Sequence, residues 1–376
     1  MIRAGRALGF HVITSGNQPG DRGHAESDAY APCDYSDPLA SLDLATSLGI
    51  DAICASANDF SALSCAYIAS KLGLPGYDTV EVSQLLHHKD KWRDYARLNE
   101  IAGPVGIGCA NMGEVEEALR HLGFPILIKP IDLTGGKGIG YGEDLRTALE
   151  VAERAFAASP AHRVVVEEFV TGSRHGFSAI LRDRKVAFHF SDDEHYHLSP
   201  YLVSAASAPS SCPPASIRAI VASVEKIAFD LNLVDGIVHL QFIMSSNGSP
   251  MIIEVCRRIP GDLYVELVRH ATGTPYADWI LRPFAGLGLE GLNQAPATRS
   301  ITRHCLMSDE AGKFAGFRFG LDEGRKIIDR MVWAEIGDEI LNPATEKLGI
   351  VFVEEFANSG LGVRPPLQSA LGIEIT

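Results

Sequence analysis

The stretch Ile126-Leu127-Ile128-Lys129-Pro130, followed by Thr134-Gly135-Gly136-Lys137-Gly138, decides how this chain is read. An apolar strand carries a lysine and then breaks into a glycine turn. Glycines let successive backbone N–H groups point at anionic oxygens, and Lys129 and Lys137 add full positive charges that amides lack. Such a turn alone is equally an ordinary hairpin, so its meaning depends on the residues downstream.

Two further clusters lie there. Arg163-Val-Val-Val-Glu167-Glu168-Phe169-Val170 reads as a buried strand ending in two carboxylates, with Gly172 and His175 just beyond. Ile237 to Met244 and Met251 to Cys256 read as two strands joined around Asn247-Gly248, a strong hairpin signal. Antiparallel pairing about that turn sets Gln241 opposite Glu254 and His239 opposite Cys256, all on one polar face. Arg257 and Arg258 come next, guanidinium groups suited to phosphoryl oxygens. Lysine, glycine loop, carboxylate and arginine in this order point to a nucleoside triphosphate with a divalent metal.

On these motifs the chain resembles the ATP-grasp superfamily, most closely its carboxylate–amine (amino-acid) ligases and biotin carboxylase-like proteins, from about Ala4 to the C-terminus. The resemblance implies ATP and Mg2+ as cofactors, with Mn2+ as a substitute. His88-Lys89-Asp90-Lys91-Trp92-Arg93 looks like the segment with the first phosphate lysine; Lys89 fits best because Arg93 follows at the family's interval, and Lys91 is the alternative. Lys129 resembles the second phosphate lysine, and Thr134, Gly135, Gly136, Lys137 and Gly138 the flexible loop over the phosphates. Glu167, Glu168, Phe169 and Val170 resemble the adenine hinge, which acts mostly through backbone groups, and His175 falls near the ribose. Glu254 matches the principal metal carboxylate of the family's Glu-x-Asn-x-Arg pattern, and Arg258 its arginine.

Two positions depart from that pattern. Gln241 stands where a second acidic metal ligand is usual, and Cys256 where asparagine is usual. Glutamine still offers a carbonyl oxygen to a hard cation, whereas a thiol is a poor magnesium ligand. Either metal affinity is reduced or phosphate oxygens carry more of the ion. Outside the resemblance, Lys89 and Lys91 read as solvated lysines, His175 and His239 as structural histidines, and Glu254 as a salt-bridge partner of Arg257 or Arg258. His195-Tyr196-His197 reads as a loop with exposed rings rather than a metal site.

The chain of 376 residues has room for two or three cores, and 46% of it is hydrophobic, as in globular enzymes. A net charge of -14 argues against nucleic acid as a partner. Seven cysteines without paired metal spacing imply reduced thiols and a cytoplasmic location. No apolar run is long enough to span a membrane, and Ile2 to Ile13 lacks the apolar core and cleavage site of a signal peptide.

Strand and helix alternate near the N-terminus: a helix at Ala4 to Gly9, strands at His11 to Thr14 and Ala52 to Ala55, and helices at Pro38 to Leu48 and Ala62 to Leu72. This predicts a parallel α/β layer. Helices are expected at Glu114 to Leu122, Leu145 to Ala158 and Ile217 to Leu231, a loop at Ser207 to Ser216, and strands at Ser300 to Met307 and Gly349 to Glu355. The expected fold is α/β, α+β in the ATP-grasp part. A Rossmann-like pre-ATP-grasp domain spans 1–88, the ATP-grasp domain 89–295 with its lid at about 122–172, and a completing C-terminal segment 296–376. The family's first strand and its glycine turn would precede residue 1, which favours an upstream start codon over loss of an edge strand.

The resemblance implies an ATP-dependent ligase that activates a small-molecule carboxylate as an acylphosphate and couples it to an amine. Lys137 and Arg258 would act on the migrating phosphoryl group, and Gln241 and Glu254 would hold metal. Amino acids are the expected substrates, because Arg258 to Leu263 resembles the amino-acid ligase version of this segment; a homodimer is the expected assembly. The alternatives are bicarbonate activation of the biotin carboxylase type and a non-catalytic ATP-binding scaffold or sensor.

Overall fold

The computed structural model describes residues 1–321, 324–355 and 371–375. Its architecture is mixed α/β, as expected. An eight-stranded antiparallel sheet forms the body, in the spatial order Pro250–Cys256, Gly236–Ser245, Gly172–Arg182, Lys185–Tyr196, Val203–Ala208, Ile301–Leu306, Gly349–Glu355, Arg325–Val332. One face packs on the helices Tyr264–Thr272 and Tyr276–Phe284 through Ile180, Phe188, Leu267, Tyr276 and Ile280. The other packs on Lys89–Leu98 and Pro214–Asp230 through Trp92, Phe177, Ile220, Leu240 and Phe242. Burying both faces uses the period of two in the strands: Phe177, Ala179 and Leu181 enter one core while Ile180 enters the other.

The hairpin forms as the sequence predicts. Gly248 turns with φ +81°, and the register sets Gln241 against Glu254 and His239 against Cys256, with an irregularity after Gln241. A separate four-stranded sheet, ordered Gly106–Cys109, Val164–Glu168, Ile126–Pro130, Gly140–Gly142, carries the glycine loop. Two helices back it, Met112–Leu122 and Leu145–Ala158, the second opened by a reciprocal Asp144–Thr147 capping box. The β-branched run Val164 to Val166 is wholly buried between those layers.

The N-terminal part differs from its expectation. Pro38–Leu48 forms as expected, capped by Asp37 and closed by Gly49 at φ +60°, and a second helix spans Asp59–Leu72. The parallel layer, however, consists of Ile13–Gly16 paired with Ala29–Pro32. Residues 52–55 are extended without joining it; the amide of Ala55 donates to the Tyr77 hydroxyl at 2.9 Å, a side-chain partner in place of a strand ladder. His195 and Tyr196 likewise belong to a strand rather than a loop, because they pair with Ala205 and Val203 of the neighbouring strand. Among the described residues, no helix is long and apolar enough to cross a membrane.

Candidate active site

Lys129 projects from its strand into a buried cluster. Its Nζ donates to Glu167 Oε2 at 2.6 Å, and Arg93 Nε donates to Oε1 at 2.9 Å, with all three residues at most 6% exposed. Burial alone would raise the Glu167 carboxyl; the charges of Arg93 and Lys129 overcome it and hold the group at about 2. Burial in turn lowers Lys129 from the usual lysine value against the pull of Glu167. The Glu167 side chain therefore braces Lys129, a role the backbone reading of the hinge did not include.

The two lysines of the preceding helix separate cleanly. Lys89 Nζ reaches the carbonyl of Leu133 at 2.6 Å, at the root of the glycine loop. Lys91 is exposed and donates to Gln84 Oε1 at 3.2 Å, away from that loop. Helix geometry explains the split, since residues two apart point to different sides. Gly135, Gly136 and Gly138 have φ of +65°, +75° and +71°. Lys137 is exposed at the tip. Apart from its two chain neighbours, no described residue comes within 4 Å of where a Cβ of Gly135 would stand, which leaves room beside the loop amides for an anion.

Along the hinge, the Glu168 and Phe169 amides donate to Val105 O and Pro125 O at 3.0 and 3.1 Å, and Glu168 Oε1 accepts from the Val105 amide. These bonds fix the strand's exit. His175 is fully engaged, with Nδ1 2.8 Å from Asp193 and Nε2 2.7 Å from Ser173 Oγ, and its ring stacks on Phe242. Burial would lower it, but Asp193 raises it to about 9.

Across the sheet, Glu254 and Gln241 stand side by side, as the register requires. Neither following arginine neutralises Glu254. Arg257 Nε donates to Asp78 at 2.7 Å, and Arg258 Nε to Asp59 at 2.5 Å, with His87 on the same Asp59 oxygen at 3.1 Å. Asn58 caps the helix Asp59–Leu72 through the Phe60 amide and so fixes Asp59 in its first turn. Asp59, His87, Lys89, Trp92, Glu254 and Arg258 line one small cavity. The oxygen donors of Glu254 and Gln241 fit a hard divalent cation, whereas burial pushes the Cys256 thiol up to about 12, so it stays protonated and offers no ligand.

A set of acidic residues escaped the sequence reading. Gln241 Nε2 donates to both oxygens of Glu194, at 2.6 and 2.8 Å, and the Tyr196 hydroxyl donates to Glu194 Oε2 at 2.6 Å. Asp192, on the same strand face, is wholly buried and accepts from the Tyr264 hydroxyl at 2.6 Å. Burial and the nearby Glu194 charge push Asp192 up to about 7, and burial raises Glu194 as well. The signal was present in the alternation Phe188, Phe190, Asp192, Glu194, Tyr196, which switches one strand face from core to polar.

The architecture is the ATP-grasp fold, and solved structures agree along nearly the whole chain. An L-amino acid ligase from Bacillus licheniformis superposes with a TM-score of 0.80 at 18% identity, covering 100% of this chain and 95% of that one. Phosphoribosylglycinamide synthetase from Anaerococcus prevotii gives 0.75 at 18% identity, covering 100% and 96%. The biotin carboxylase domain of the Hydrogenobacter thermophilus 2-oxoglutarate carboxylase, solved with MgADP and bicarbonate, gives 0.75 at 19%, covering 94% and 83%. Residues 90–292 match the family model described as carbamoyl-phosphate synthase L chain, ATP binding domain, and the chain belongs to that family. The carbamoyl phosphate synthase large chain of Neisseria meningitidis serogroup A is 30% identical over 141 residues, which are 36% of this chain and 13% of that relative. The chain thus aligns with a small part of such curated relatives.

Proposed function

We propose that this protein is an ATP-dependent carboxylate–amine ligase acting on small molecules, with an amino acid as substrate. The observation that carries the reading is that Lys89, which reaches the root of the glycine loop, shares one small cavity with Glu254 and Arg258, with Gln241 paired to Glu254, in a chain of this family. The likeness in fold to an L-amino acid ligase supports the choice of amino acid. When bound, MgATP supplies the γ-phosphoryl group that turns a carboxylate into an acylphosphate with release of ADP; an amine then attacks the acyl carbon, loses a proton and expels phosphate.

The chain's own residues have distinct tasks in this reading. Lys129, steadied by Glu167, and Lys89 place positive charge beside the phosphates. Glu254 and the Gln241 carbonyl offer oxygen to the metal. Arg258, oriented by Asp59, faces the migrating group, and most of the rate gain expected of such a site is positioning and charge neutralisation. Closure of Gly135, Gly136 and Gly138 excludes water, with Lys137 carried over the phosphates. In this proposal residues 1–88, 89–295 and 296–376 are the three units, with 122–172 as the lid.

The test is ADP and phosphate release from ATP and Mg2+, with and without pooled amino acids, other carboxylic acids and bicarbonate, with Lys129→Ala as control. Pool-dependent release absent from the control supports a ligase. Measurable ATP binding with no release from any pool transfers the weight to a non-catalytic ATP-binding protein.

A further inference from the structure

The sheet carries a polar trough that runs sideways, strand to strand, in two offset rows of paired residues. Glu254 pairs with Gln241, Gln241 with Gly176, and Gly176 with Asp192. One step along the same strand face Glu194 pairs with Ala206, and Ala206 with Arg303. Large polar residues thus alternate with Gly176 and Ala206 on the strands between them. A Cβ at Gly176 would stand 2.6 Å from Asp192 Oδ1, so only glycine lets that carboxylate lean into the row.

The carboxylates of this trough outnumber the cations near them: the Arg303 charge acts on Asp192 and Glu194 and that of Arg258 on Glu254, but neither arginine forms an ion pair with them. Among the described residues, none of Glu254, Glu194 and Asp192 forms an ion pair with a basic side chain. Arg258 is taken by Asp59; Arg303 and Lys347 converge on Asp262, at 3.8 and 2.6 Å. Polar atoms on the same face also lack partners: Asp192 Oδ2, Arg303 Nε and His239 Nδ1, in residues 0%, 3% and 9% exposed. Buried carboxylates without a cation are costly, and so are buried donors and acceptors left unmade. A metal at Glu254 and Gln241 would answer one of these charges. The Glu194 and Asp192 pair, across Gly176, calls for a second cationic group with N–H donors.

Resting on the ligase reading above, we propose that this trough is the acceptor subsite and that Glu194, backed by Asp192, binds a substrate ammonium group. The ligand class is an amino acid whose carboxylate lies at the Glu254 and Arg258 end while its ammonium lies over Glu194. Gln241 spans the two ends, offering its carbonyl to metal and its amide N–H groups to Glu194. An acidic residue at position 241 would lose those two donors.

The experiment measures binding without turnover, in a non-hydrolysable ATP analogue and Mg2+. Each proteinogenic L-amino acid and its des-amino counterpart, alanine against propionate for instance, is tested by thermal shift and calorimetry on the wild type, Glu194→Gln and Glu194→Asp. At least one amino acid is expected to bind the wild type roughly tenfold or more tighter than its des-amino partner. Glu194→Gln is expected to abolish that preference while keeping affinity for the ATP analogue and for Mn2+, and Glu194→Asp to restore part of it. Retained nucleotide affinity shows that each variant is folded. The inference is overturned if Glu194→Gln keeps the preference, if it loses Mn2+ affinity instead, or if no amino acid outbinds its des-amino partner. ADP release driven by a carboxylic acid without an amino group would overturn it while leaving the ligase reading intact.

Discussion

Lys129 Nζ and Glu167 Oε2 lie 2.6 Å apart on adjacent antiparallel strands of the four-stranded sheet, both nearly sealed from water. Lys129, the proposed phosphate lysine, therefore arrives paired with a carboxylate that Arg93 also holds. The pair is a positioning device as much as a source of charge.

Removing one partner exposes the cost. Lys129→Met leaves the buried Glu167 charge with Arg93 alone, and loss of one side of a buried pair costs about 3–5 kcal/mol, here nearer the lower figure because Arg93 remains. Glu167→Gln alone should cost more, because it strands both buried cations. In the double variant Arg93 still lacks its carboxylate, so stability should not recover; the double loss should fall short of the sum of the single losses, with ADP release still absent. Urea denaturation of the two single variants and the double variant checks this; additive losses would show that the two side chains act independently.

The His175–Asp193 pair gives a pH signature. A histidine raised from 6.5 to about 9 adds stability that is fully present below 6.5 and is lost as pH rises through 9. That span corresponds to about 3 kcal/mol. Wild-type stability should fall between pH 7 and 10 by roughly this amount relative to His175→Gln, which has no such group to titrate. Parallel pH profiles for the two proteins would contradict the assignment.

How much of this was legible in the sequence depended on how local each signal was. The lysine strand, the glycine loop and the Asn247-Gly248 hairpin are written within a few residues each, and the register of Gln241 with Glu254 follows from counting outward from the turn. Asp59 and Arg303 were not legible, because their neighbours lie 199 and 41 residues away in the chain; for Glu194 the alternation of its strand showed a polar face, but not its partner Gln241, 47 residues away. The strand expected at Ala52 to Ala55 failed for a related reason: a short apolar run becomes a strand only when a partner edge lies beside it, and Tyr77 takes the Ala55 amide instead.

Gln241 offers a sharper test. Gln241→Glu removes two donors to Glu194 and sets a third carboxylate beside Glu194 and Glu254. Without metal the variant should lose about 2–3 kcal/mol of stability, the scale of lost hydrogen bonds to a charged group plus repulsion. Mn2+ or Mg2+ should restore part of that loss, and turnover should fall below wild type, also in combination with Cys256→Asn. Higher turnover at unchanged metal-free stability would mean instead that glutamine here is a decayed metal ligand. Thermal unfolding with EDTA and with Mg2+, alongside ADP release, separates the two.

The glycine loop packs against the backbone of Tyr201. A Cβ on Gly136 would stand 2.6 Å from the carbonyl oxygen of Tyr201 and 2.7 Å from its Cβ, at a φ of +75°. Left-handed backbone costs an L-residue roughly 1–2 kcal/mol before any overlap is counted. Because the loop is largely exposed, Gly136→Ala should hardly change the melting temperature. It should instead hold the loop off Tyr201, lowering kcat roughly tenfold or more, the equivalent of the backbone cost, and speeding proteolysis at the loop in the presence of an ATP analogue. Adding Tyr201→Gly should fail to rescue, since the nearest obstacle is the main-chain oxygen, which that substitution leaves in place. Recovery of kcat in the double variant would show that the side chain, and not the backbone, is what the loop seats against.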